Sequence, residues 1–190
     1  STAGKQGVFS DSRGNVFWSC LEVIKVKKPK YFILENVKGL LWHNKENKKD
    51  KYGRTWKIIW EALSRLQDYN VDWKLMNTKD YGIPQNRERV YIVGILRDLN
   101  QEFTWPEKTV MRDLEEFVDF NDNNSCEIKK SSAKMLTKIP VNSIFIDLNF
   151  SSKTYPNSGI VSPCLNTANG LWCVPKSRYA NVKERLYLQG

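Results

Sequence analysis

Lys27-Lys28-Pro29-Lys30 followed by Tyr31-Phe32-Ile33-Leu34-Glu35-Asn36-Val37 is the stretch on which the fold turns. A basic run containing proline stops a helix, because proline restricts the residue before it and cannot donate in a helical ladder. The four apolar residues Tyr31–Leu34 then read as a short strand buried on both faces. Upstream, Asp11-Ser-Arg-Gly-Asn15 reads as a capping loop, and Phe17, Cys20, Leu21 and Ile24 recur at helical spacing, so a helix is predicted over 16–26. Downstream, residues 36–54 hold glycine and six basic side chains and read as an exposed loop. Trp56, Ile59, Trp60, Leu63 and Leu66 form the apolar stripe of a second helix over 55–66. Val71–Met76 reads as a strand, Tyr81-Gly-Ile-Pro84 as a turn, and Arg89–Leu96, dense in β-formers, as a further strand. Helices alternating with strands predict an α/β fold with a mainly parallel sheet.

The rest of the chain bounds this reading. Of 190 residues, 41% are hydrophobic and 27% charged, a globular balance that excludes a wholly disordered chain. No apolar stretch approaches the ~18 residues of a membrane span, and no basic-then-apolar leader is seen. A soluble protein of the cytoplasm or nucleus, with no membrane partner, is expected. The formal charge is +9, and it is uneven: residues 1–100 hold 19 basic and 11 acidic side chains, residues 101–190 hold 11 and 10. The positive field belongs to the first half, where a polyanion would be met if one is met at all; a solvated basic face is the alternative. After Trp105-Pro106 the pattern dissolves into an acidic run, Asn121-Asp-Asn-Asn-Ser125, and apolar islands such as Ile144–Phe150, so a second, irregular region is expected from about 103. The four cysteines at 20, 126, 164 and 173 form no Cys-x-x-Cys pair, and the one histidine is His43, so no metal site is expected. Cys20 reads as core and His43 as surface.

Glu35 stands at the carboxyl end of the buried run, where open α/β sheets bind ligands. A helix or loop cap is the plainer alternative for it. Arg87 and Arg89, two apart on a strand, would share a face and offer forked donors to a phosphate or carbonyl. An exposed basic edge paired with Glu88 is their alternative. Ser1-Thr-Ala-Gly4-Lys5-Gln6-Gly7 is a small, polar loop with neither Walker nor Gly-x-Gly-x-x-Gly spacing.

In order, these pieces resemble the DNA cytosine-C5 methyltransferases. Ser1–Gly7 with Asp11–Gly14 looks like the loop after the family's Pro-Cys-Gln nucleophile motif. Glu35-Asn36-Val37 is similar to its Glu-Asn-Val motif, and Gln85-Asn-Arg87-Glu-Arg89 to its Gln-x-Arg-x-Arg motif. Val182–Gly190 resembles the segment that begins the return to the catalytic domain. The resemblance implies part of a Rossmann-like sheet of an S-adenosylmethionine-dependent methyltransferase, with residues 1–102 catalytic, 103–175 for target recognition and 176–190 a return segment. It implies methyl transfer from S-adenosylmethionine to C5 of a cytosine flipped out of double-stranded DNA, through a cysteine adduct at C6, by an enzyme of the kind found in restriction–modification systems that acts as a monomer. Glu35 would serve the ring at N3 and Arg89 at O2, with Arg87 in support. Asn15 and Val16 would lie beside the cofactor, and Ser1, Lys5, Gln6, Arg13 and Gln85 would meet the DNA.

The chain also departs from the family. It has no Pro-Cys-Gln, no glycine-rich cofactor turn and no final Gly-Asn motif. It therefore reads as an internal fragment, inactive alone and exposing apolar sheet edges. Pro163-Cys164 lies after the Gln-x-Arg-x-Arg motif, in the wrong order for the nucleophile, so Cys164 reads as structural or DNA-facing. Two rivals are a transfer-RNA cytosine-C5 methyltransferase and a DNA-binding module without catalysis.

Overall fold

The computed structural model describes residues 16–128, 132–133, 136–137, 139–149, 159–167 and 170–190. Helix α1 is Val16–Lys27. It ends as its sequence demands: Lys28 turns to φ +44 while its N–H still donates to Ile24 O at 3.0 Å, and Pro29 follows. Lys25 and Lys27 place positive charge at its carboxyl end, where the helix dipole favours it. Strand β1 is Tyr31–Val37, three residues longer than the apolar run suggests, so Glu35 lies inside the ladder and not beyond it. Helix α2 is Arg54–Ser64, strand β2 Tyr69–Asn77 and strand β3 Glu88–Leu96. The segment expected as loop over 36–54 begins with strand and then a 3-10 turn, Lys38–Trp42, whose Leu41 is buried.

The sheet order is β1-β3-β2. β3 is antiparallel to β1, with Leu34 opposite Ile92 and Phe32 opposite Gly94. Against β2 it is antiparallel too: Arg97 N–H donates to Asp68 O at 2.8 Å and Thr78 N–H to Arg87 O at 3.2 Å, pairs in which one residue number rises as the other falls. The expected mainly parallel sheet is thus corrected. β1 and β2 do run the same way, joined by a crossover through α2, but β3 is inserted between them in the opposite sense. The connection 78–87 is too short for a parallel crossover, which needs a dozen or more residues.

Burial follows from that order. Central β3 is covered on both faces, with Val90 and Ile92 on one and Val93 and Ile95 on the other. Edge strand β1 is not: Phe32 is 8% exposed but Ile33 68%, so its apolar run is buried on one face only. The core is Leu21 and Ile24 of α1, Trp56, Ile59 and Leu63 of α2, and Phe32, Tyr69, Val90 and Ile92 of the sheet. Trp56 meets Trp73 edge-on at 4.7 Å and stacks on Trp60 at 6.1 Å. At Gly94 the Phe32 ring takes the space a side chain would need, with ring carbons 2.1 Å from an ideal Cβ position.

The chain divides into two compact units, Ser1–Met76 with Glu88–Pro106, and Asn77–Arg87 with Glu107–Gly190. The second unit is less irregular than its sequence suggests. Strands β4 (Phe145–Asp147), β5 (Leu171–Cys173) and β6 (Arg178–Tyr179) form an antiparallel sheet. Phe145, Leu171 and Cys173 pack with Leu114, Phe117 and Leu188. Helix α3, Val182–Tyr187, opens on a capping box in which Asn181 and Glu184 bond each other's backbone N–H. Glu184, fully buried, also takes two donors from Arg178 at 2.7 and 2.9 Å. Residues 176–190, expected as a return segment to the catalytic part, fall in this unit, where Arg178 donates to Asp119 O at 3.2 Å and Glu184 accepts from Asp119 N–H at 2.9 Å.

Candidate active site

The register of β1 against β3 builds the central feature. Glu35 opposes Tyr91 and Val37 opposes Arg89, so Glu35 and Arg89 are diagonal neighbours on one face of the ladder. Arg89 Nε lies 2.8 Å from Glu35 Oε1. The guanidinium side chain is 17% exposed and the carboxylate 44%. Arg89 is fixed further by donating from a terminal nitrogen to its neighbour's carbonyl, Glu88 O, at 2.8 Å. Glu88 in turn accepts from Lys38 Nζ, and that ammonium stands 5.3 Å over the Trp42 ring. The outcome is a half-exposed carboxylate with one oxygen engaged by a cation that is itself anchored. Such a pair can hold a proton acceptor and a positive charge side by side against one ligand.

Arg87 does not join it. β3 begins at Glu88, so residue 87 precedes the alternating ladder and the expected shared face with Arg89 is not formed. Arg87 belongs to the second unit, where its guanidinium donates to Cys164 Sγ at 3.5 Å and its N–H to Asn77 Oδ1 at 3.0 Å. Gln85, expected to meet DNA, is fully buried, and both polar atoms of its amide lack a partner among the described residues. The chain around it is pinned: Ser162 N–H donates to Pro84 O at 2.7 Å and Asn86 N–H to Ser162 O at 2.8 Å. Direct contact with DNA would require this amide to be uncovered.

Val16 starts α1 and is 58% exposed. Ser1, Lys5, Gln6, Arg13 and Asn15 lie outside the described residues. Cys20 is half-buried, Cys126 exposed and Cys173 buried. Burial raises the Cys173 thiol to about 11, with the Glu184 carboxylate adding to it. His43 is half-buried and its Nδ1 bonds Thr55 Oγ1 at 2.8 Å. Sequence reasoning missed the Lys38–Glu88 anchor behind Arg89, for which no motif exists. It also missed the Arg178–Glu184 pair, for which the Asn181-x-x-Glu184 spacing is the legible signal.

Set beside known proteins, the chain matches the profile of the C-5 cytosine-specific DNA methylase family over residues 1–179. It is 49% identical over 107 residues to Type II methyltransferase M.NlaIV of Neisseria lactamica, covering 55% of this chain and 25% of that protein. It is 40% identical over 151 residues to Type II methyltransferase M.HaeII of Haemophilus aegyptius, covering 76% of this chain and 45% of that one. The chain therefore spans less than half the length of these relatives. Among solved structures it resembles the S. pombe Dnmt2 methyltransferase, at 16% identity and a TM-score of 0.54, over 94% of this chain and 60% of the other, a likeness of fold.

Proposed function

The chain belongs to the C-5 cytosine-specific DNA methylase family, and we propose on that footing that it carries the base-handling part of a DNA cytosine-C5 methyltransferase. Cytosine C5 is a weak nucleophile. Addition of a thiolate to C6 makes C5 enamine-like and able to take a methyl group, and loss of the C5 proton and of the thiol restores the ring. Negative charge develops in the ring on the way. Glu35, by resemblance the residue at N3, shares a proton there. Arg89 places a fixed positive charge beside the same base, at O2. The base reaches them by leaving the duplex, a movement for which methyltransferases are a standing example. The single observation that supports this assignment is the 2.8 Å Glu35–Arg89 pair with its carboxylate still half-exposed.

The thiolate comes from outside these residues: the sequence contains no Pro-Cys-Gln, and the 190 residues alone are expected to transfer no methyl group. S-adenosylmethionine would supply the electrophilic methyl. Of its expected neighbours, Val16 offers only an apolar side chain, and the groove beside it adds Ser19, Cys20, Val23, Phe32 and Leu34. That lining has no charged group for a ribose or an amino-acid end, so this groove alone does not make up the cofactor's site. The chemistry assigned to this chain lies with Glu35 and Arg89. The second unit, covering most of the 103–175 stretch, is the proposed target-recognition region.

The test is methyl transfer by the gene product that carries this chain, with labelled S-adenosylmethionine and duplex DNA. Glu35→Gln should lower turnover by ~10²-fold or more, the usual weight of a positioned acid–base group. Unchanged turnover would reduce Glu35 to a strand residue and leave a DNA-binding module. Transfer RNA added as competitor decides the substrate: preferential methylation of the RNA would overturn the choice of DNA.

A further inference from the structure

We propose that the lysine loop 44–53, carried on the same strand as Glu35, is a clamp for the phosphate backbone of duplex DNA. This rests on the proposed function and goes beyond it, since no residue of the loop has a part in the base chemistry.

The loop is built and not merely exposed. It leaves β1 through the 3-10 turn Lys38–Trp42 and is closed at its base by backbone bonds, Gly53 N–H to Leu41 O at 2.8 Å and Arg54 N–H to Asn44 O at 3.1 Å. The His43–Thr55 bond, 2.8 Å, crosses the same neck. The neck is so narrow that a Cβ on Gly53 would stand 2.0 Å from His43 O. Within the loop Asp50 N–H donates to Asn47 O at 3.2 Å, and Asn47 N–H to Asp50 Oδ2 at 3.2 Å.

On this frame sit Lys45, Lys48, Lys49 and Lys51, all exposed. The loop's two carboxylates are turned elsewhere: Glu46 to Arg54 and Asp50 to Lys57, each at 3.9 Å. Among the described residues none of the four lysines has a carboxylate within salt-bridge distance. Four like charges on a closed loop repel one another, and a polyanion is the partner that relieves them. Lysines are point charges on flexible stems, suited to phosphate and unable to present the arginine fork that reads bases. Between Asn44 and Lys51 there is no apolar side chain, so a membrane surface would find nothing to insert. The turn that bears the loop also bears Lys38, which pairs with Glu88 beside Arg89. A duplex held by the loop is therefore held by the strand that carries the candidate site.

The experiment uses the gene product that carries this chain and a fluorescent duplex oligonucleotide, with affinity followed against salt. Lys45→Gln, Lys48→Gln, Lys49→Gln and Lys51→Gln together should flatten the log–log salt slope by up to ~0.9 per lysine engaged, with at least a tenfold loss of affinity at low salt. Lys27→Gln with Lys30→Gln, at the opposite end of β1, should leave the slope nearly unchanged. If the fourfold variant fails to fold by circular dichroism, Lys48→Gln and Lys49→Gln singly should each remove ~0.9. An unaltered slope, or equal loss per charge in both sets, overturns the clamp. So does an unmodified gene product that binds no duplex, whatever methyl transfer shows. Loop-dependent binding by a chain whose gene product methylates nothing would keep the clamp and remove the enzymatic reading.

Discussion

Arg89 reaches Glu35 on the diagonal of the β1–β3 ladder, Nε to Oε1 at 2.8 Å, although Glu35 directly opposes Tyr91 and Arg89 opposes Val37. The pair is not there for stability. With the carboxylate 44% exposed, solvent screens the attraction, and such a pair is worth under ~1 kcal/mol. What the geometry secures is a cation fixed next to an acceptor that still faces outward.

Arg89→Gln should therefore leave the melting temperature almost unchanged while lowering methyl transfer by the gene product ~10²-fold or more, the range for losing one charge-stabilising donor. Because the two side chains act as a unit, Glu35→Gln combined with Arg89→Gln should lose little more than either alone. Losses that multiply fully would mean the residues act independently.

The Arg178–Glu184 pair is the opposite case. Its side chains are 4% and 0% exposed, and Glu184 also accepts from Asp119 N–H at 2.9 Å and Asn181 N–H at 2.8 Å. Removing one partner strands a buried charge, which typically costs about 3–5 kcal/mol. Arg178→Met should shift the urea midpoint strongly downward, and Arg178→Met with Glu184→Gln should recover part of the loss. No recovery would show that the uncompensated charge is not the cause.

Thiol chemistry should separate the cysteines. Cys126 is exposed and should be alkylated quickly, whereas Cys173 is buried and its thiol is held at about 11 against an ordinary 9.0. A raised thiol means the folded state keeps its proton longer than the unfolded one. The corresponding stability is intact below pH 9 and is lost as pH rises from 9 to about 11. Cys173→Ser should flatten that alkaline decline. A decline of equal steepness in the variant would place its cause elsewhere.

The sequence by itself determined the family and most elements of the first unit, and it named Glu35 and Arg89 as candidates. Helical spacing in 16–26 and 55–66, and β-formers in 89–96, are local signals, and the Glu-Asn-Val and Gln-x-Arg-x-Arg motifs are read along the chain. It could not determine strand order. Alternation of helix and strand looks parallel whether or not a late strand is inserted backwards, and only the pairing of β3 between β1 and β2 shows that it is. That pairing placed Arg89 beside Glu35, and the start of the ladder at Glu88 left Arg87 to Cys164 in the other unit. The spacing of two residues promised a shared face, and the promise holds only where both residues stand in the strand. Burial of Gln85 and closure of the lysine loop at Gly53 are likewise contacts between segments distant in sequence, which no local pattern encodes.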